Sequence, residues 1–209
     1  MMIDIRQKNK EMYEADFEII SNGNISGSIN VKGKLASMES SLIGNFNNIP
    51  FELKYTGGLF TKTKNKKFRP YQIIVSEKNV GEIYQTNKKT GLFGNYEYTE
   101  LIYNNEIYKE YGIGLGTESK CPIYMNDIQV AQIDTEQIIY NDLHNYKIYV
   151  KNDNYSLISI IIACYMYIIA GFKPGIKVKQ SVVKYYNRTI NKELNSKYNP
   201  EWIKDIGGK

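Results

Sequence analysis

Nineteen consecutive residues, 154–172, carry no charge. Ile158, Ile160, Ile161, Ile162, Ile168 and Ile169 are interleaved there with Ala163, Tyr165, Met166 and Tyr167. A segment that is apolar on every side has to be enclosed by protein or by lipid, because none of its faces suits water. Its densest part, 157–172, is 16 residues long and falls between the usual lengths of a core helix and a membrane span. Lys173, Pro174 and Gly175 mark its end, since proline cannot continue a helix and glycine suits the position after one. The many isoleucines lower helix propensity and keep a long strand pair open as an alternative.

What precedes this run is β-patterned. Short runs at 17–20, 25–31, 51–55, 71–75, 80–84, 96–103 and 128–133 are separated by Gly, Asn and Lys. Turn signals such as Asn22-Gly23, Gly57-Gly58 and Asn104-Asn105 fall between them, where positive φ is needed. Many short strands at regular spacing predict a sandwich or barrel, and the lack of a long amphipathic helix argues against a parallel α/β sheet. An internal echo at an offset of 50 supports repeated units. Val80-Gly81-Glu82-Ile83 corresponds to Val130-Ala131-Gln132-Ile133, and residues 93–98 correspond to 143–148.

The net charge of +5 is unevenly spread. Residues 1–172 hold 18 Lys/Arg and 19 Asp/Glu, whereas 173–209 hold 9 and 3, so the basic character belongs to the tail. Val178, Val182, Tyr185, Tyr186, Ile190 and Leu194 recur there every three to four residues, which predicts a basic amphipathic helix over 176–209. The division is therefore 1–172 as a β domain with its helix at 154–172, and 173–209 as a basic extension. Cys121 and Cys164 allow at most one disulfide, and Cys164 lies within the apolar run, which favours a reducing compartment. The first 16 residues carry Asp4, Glu11, Glu14 and Asp16 and no apolar stretch, so a secretory signal is not expected and the location expected is cytoplasmic or peripheral to a membrane.

The stretch Ile123-Tyr124-Met125-Asn126-Asp127-Ile128-Gln129-Val130-Ala131-Gln132-Ile133, then Asn145-Tyr146-Lys147-Ile148-Tyr149-Val150, then the apolar run, forms an order of elements that resembles the tubby C-terminal-domain superfamily. Phospholipid scramblases and LURP-one-related proteins belong to it. The resemblance is clearest over 71–172 and implies a closed antiparallel barrel threaded by the C-terminal hydrophobic helix. The 37 residues after Phe172 depart from it, and no residue matches its phosphoinositide-binding or calcium-binding positions, so no site is carried over.

Candidate sites follow from charge. Lys62, Lys64, Lys66, Lys67 and Arg69 place five cations in eight residues beside Phe60 and Phe68, a combination suited to phosphate head groups or a nucleic-acid backbone, or else a solvated hairpin connection. Lys179, Lys184 and Arg188 extend the basic surface into the tail. Gly112-Ile113-Gly114-Leu115-Gly116 lacks phosphate-loop spacing and reads as close backbone packing. The single histidine, His144, rules out a multi-histidine metal site, and its spacing from Cys121 gives no sign of a nucleophile pair. No cofactor is implied. The expectation is a non-enzymatic module for an anionic lipid surface. The alternative is a protein-interaction module that uses tyrosine-rich strands and the C-terminal helix. Nucleic acid is not expected.

Overall fold

The computed structural model describes residues 1–34, 40–57, 67–90, 94–176, 178 and 180–207. Its strands are β1 (Met2–Lys10), β2 (Glu14–Ser21), β3 (Asn24–Gly33), β4 (Ser40–Phe46), β5 (Ile49–Tyr55), β6 (Phe68–Val75), β7 (Lys78–Thr90) and β8 (Gly94–Tyr103). Then come β9 (Glu106–Glu110), β10 (Ile113–Gly116), β11 (Glu118–Met125), β12 (Ile128–Glu136), β13 (Ile138–Tyr140) and β14 (Asn145–Val150). The order β12-β14-β1-β2-β3-β4-β5-β6-β7-β8-β9-β11 closes on itself through β11 pairing with β12. The protein is thus a closed barrel of 12 antiparallel strands. Closure leaves the ring without an unpaired edge.

Every strand run expected from the sequence lies inside one of these strands. The internal echo also has a structural counterpart. The described residues 80–83 and 94–98 of its first copy lie in β7 and β8, and residues 130–133 and 145–148 of its second lie in β12 and β14, each an antiparallel barrel pair.

The two ends of the barrel differ in their chemistry. At the lower end, five connections are two-residue turns in which both residues have positive φ. They are Asn22-Gly23, Asn47-Asn48, Ser76-Glu77, Asn104-Asn105 and Asn126-Asp127. This backbone matches the right-handed twist of a hairpin, and Asn and Gly tolerate it best. At the upper end the connections are longer, as between β5 and β6, between β9 and β11, and between β12 and β14.

After β14 the chain turns in at the lower end and rises through the middle of the barrel. A 3-10 turn (Asp153–Tyr155), whose start is capped by the Asn152 side chain, leads into α1 (Ser156–Met166) and then a π-helical turn (Tyr167–Gly171). Ile160, Ile161, Ile162, Ala163 and Tyr165 are wholly buried and share one core with Ile3, Ile19, Leu53, Ile73, Leu101, Ile123 and Ile148 of the surrounding wall. Enclosure explains why a helix forms despite the isoleucines. A strand inside a closed ring would have no partner for its N–H and C=O groups, whereas a helix bonds its own. Each fully buried Ile adds roughly 1.5–3 kcal/mol relative to exposure. The window 153–171 is long and apolar enough to cross a membrane by composition, but 61% of it is buried within the barrel.

The amphipathic helix expected over 176–209 is not formed. The tail instead gives β15 (Val182–Lys184), β16 (Asn187–Arg188) and two one-turn helices, α2 (Lys192–Asn195) and α3 (Trp202–Asp205). β15 pairs with β13 and β16 with β10, using edges that the ring itself does not close. The β-branched Val182, Val183, Thr189 and Ile190 favour this extended course. Of the expected apolar stripe only Leu194 is buried, whereas Ile190 is 89% exposed.

Candidate functional site at the barrel mouth

Strand alternation sets what faces the helix at each level. On β7, β8, β9, β11 and β12 the middle layers are Ile83, Leu101, Tyr108, Ile123 and Ile133, all buried and apolar. One step higher on the same faces stand Gln85, Thr99, Glu110, Cys121 and Thr135. The wall therefore changes from apolar to polar as it approaches the mouth. The helix ends there in its π-helical turn, and a cleft of about 250 Å³ remains between Met166, Ile169 and Ala170 and this polar wall. Glu97, Tyr98, Gly112, Ser119 and Asn187 complete its lining.

Glu110 is the most unusual group in the cleft, since its residue is only 5% exposed. Burial pushes its carboxyl above the ordinary range, and hydrogen bonds from Thr99 and Cys121 oppose that shift. Thr99 is its cross-strand partner in the β8–β9 register. Burial raises the Cys121 thiol well above its usual range, as does the neighbouring Glu110, so the thiol stays protonated. Both cysteines are free and buried.

On the opposite side of the mouth a second polar network fixes the end of the helix. The Gln7 side-chain amide donates to the Tyr167 hydroxyl at 3.1 Å, and its carbonyl accepts the His144 N–H at 2.9 Å. Lys10 pairs with Asp142, and the His144 ring lies 5.4 Å from that of Tyr167. Burial lowers the His144 pKa despite the nearby Asp142, so the imidazole is held neutral. His144 and Cys121 thus serve different neighbours and do not form a pair. Among the described residues, no group of three or more His, Cys, Asp or Glu side chains is arranged to hold a metal ion.

The predicted cations fall into three sets. Lys62, Lys64, Lys66 and Lys179 lie outside the described residues. Lys67 and Arg69 are engaged by the protein itself. Lys67 pairs with Glu82 and sits 4.3 Å above the Tyr84 ring, and the Arg69 guanidinium donates to the Ile169 carbonyl at 2.6 Å while the Arg69 backbone carbonyl accepts from the Tyr165 hydroxyl at 2.9 Å. Lys184 and Arg188 are exposed on β15 and β16. Arg188 lines a separate groove of about 410 Å³ with Leu115, Tyr186 and Tyr198. Gly114 permits that crossing, because a Cβ there would stand 2.5 Å from the Asn187 carbonyl oxygen.

No family model, curated protein or solved structure matches this chain. Its site is therefore read from its own geometry. Sequence reasoning missed Glu110, although the alternation in β9 does put it on the same face as Tyr108. What sequence could not supply was the cross-strand neighbour that makes the position a cleft. The tyrosines divide between an internal cluster and exposed positions, among them Tyr13, Tyr140, Tyr185 and Tyr186. Tyr96, Tyr98, Tyr111 and Tyr124 cluster with Leu194 and Tyr198, and the Tyr124 hydroxyl donates to the Lys197 carbonyl at 2.7 Å.

Proposed function

We propose that this chain is a non-enzymatic binding module of tubby-like, scramblase-like type that docks its open end on an anionic phospholipid surface inside the cell. The observation that carries the reading is the asymmetry of the barrel. The lower end is closed by five two-residue turns, with Ile25, Ile49 and Ile128 exposed beside them, while the upper end carries longer connections and a tail on which exposed apolar side chains lie beside the exposed Lys184 and Arg188. Phe68 is 48% exposed, between Lys67 and Arg69, whose charged groups are held by Glu82 and the Ile169 carbonyl. Both described ends of the connection that contains Lys62, Lys64 and Lys66 are joined there by the Thr56 N–H to Pro70 carbonyl bond. Met12, Leu115, Tyr140, Ile176 and Tyr186 are also exposed on the upper connections and the tail beside them. Apolar side chains flanked by Lys and Arg suit insertion among anionic head groups, each cation adding about 1 kcal/mol near such a surface.

The test is cosedimentation with phosphatidylcholine vesicles with and without phosphatidylserine. Phe68→Ser combined with Lys184→Glu and Arg188→Glu should weaken association with the anionic vesicles several-fold. Equal sedimentation of the variant and the unchanged protein would refute the docking end.

A further inference from the structure

We propose that the mouth cleft is a receptor site for a primary ammonium group, carried by a free amine or by an aminophospholipid head group. The lipid source rests on the membrane reading above, whereas the free-amine source does not. The charge of the lining decides the class of ligand. Glu97 and Glu110 face the cleft, and none of its lining residues is Lys, Arg or His. Among the described residues no cation pairs with Glu110, which meets only Thr99 and Cys121. A buried carboxyl without a counter-ion is costly to ionise, and a cation placed beside it removes that cost.

The helix adds to the same field. Its C-terminal turn, with Ile169 and Ala170, forms one wall, and the unpaired carbonyls at a helix C-terminus carry partial negative charge. Arg69 already answers this end from the β6 side by binding the Ile169 carbonyl. The cleft side has no such partner among the described lining residues. Gln85, Thr99, Ser119, Thr135 and Asn187 supply oxygen acceptors for the three N–H donors of an ammonium. An anion would meet two carboxyls and a negative helix end. A neutral ligand would leave the penalty on Glu110 in place. At about 250 Å³ the cleft suits a head of a few heavy atoms and is smaller than the pockets that enclose drug-sized ligands. On binding, Glu110 is ionised and any proton it held passes to solvent, so affinity rises with pH through the raised Glu110 pKa.

The experiment titrates the full chain with ethylammonium, tetramethylammonium, propionamide and acetate by calorimetry, with protein NMR shifts as a second readout. Saturable binding of ethylammonium is expected, at least roughly tenfold tighter than the other three, as charge-assisted hydrogen bonds imply. Glu110→Gln should lose roughly tenfold or more. Absence of saturable ethylammonium binding, equal binding of propionamide, or an unaffected Glu110→Gln variant would overturn the proposal. If that variant fails to fold, the unchanged protein still decides, because affinity that does not fall on acidification contradicts the role of Glu110. Ethanolamine is then compared with phosphatidylethanolamine in phosphatidylcholine vesicles. Preference for the lipid identifies a head-group receptor, and binding of ethanolamine alone identifies a soluble amine. Ethylammonium binding without any vesicle association would refute the membrane reading and leave the ammonium site standing.

Discussion

Ser76-Glu77 joins β6 to β7 with φ of 47° and 66°, whereas the equivalent turns use Asn, Asp and Gly. A glutamate in the left-handed region is strained by its Cβ, so Glu77→Gly should stabilise the fold by about 0.5–1 kcal/mol after the added freedom of the unfolded glycine is subtracted. Urea denaturation would read this as a higher midpoint with an unchanged slope. Glu110 presents the opposite case, in which strain is electrostatic. Burial raises its folded pKa above the ordinary 4.5, so the stability linked to its protonated form is fully present below that value and is lost as pH rises through the folded pKa. Glu110→Gln removes the ionisation. Its stability advantage over the unchanged protein should be small below pH 4.5, grow as pH rises, and then level off. An advantage independent of pH would mean that the carboxyl is not desolvated.

Among the elements, the central helix shows how pattern and context divide the information. Its boundaries were legible because charge vanishes between Asp153 and Lys173 and Pro174 follows. Its place was not, since composition alone suits both lipid and a protein interior. Only the closed ring, whose wall residues share one core with Ile161, settles that ambiguity. Ile161→Ala should therefore destabilise the protein by about 2–5 kcal/mol, the range for a cavity in a packed core. A loss below about 1 kcal/mol would mean that the helix is not enclosed, and thermal or urea unfolding would measure it. The tail illustrates the converse. Its three-to-four-residue spacing of apolar residues has helical period, yet the open edges of β13 and β10 recruit Val182–Lys184 and Asn187–Arg188 as strands. Such edges exist only once the barrel has formed, so a local periodicity could not foresee them.

At the scale of the whole molecule the barrel has one end closed by tight turns and one end that opens on the cleft. Chain direction sets this polarity. The tight turns return strands at the lower end, and the helix rises to place its C-terminal carbonyls at the upper one. The charge cluster at 62–69 was legible in the sequence, although its described members Lys67 and Arg69 are engaged within the chain, whereas the cleft was not legible, because Gln85, Thr99, Glu110 and Thr135 come from four strands joined only by register. The proposed docking polarity can be measured with an environment-sensitive fluorophore. A single label is placed through Phe68→Cys at the upper end or Asn47→Cys at the lower turn, the native cysteines being buried. With phosphatidylserine-containing vesicles, a blue shift and shielding from aqueous quencher are expected at position 68 and neither at position 47. A shift at position 47, or none at position 68, would contradict it.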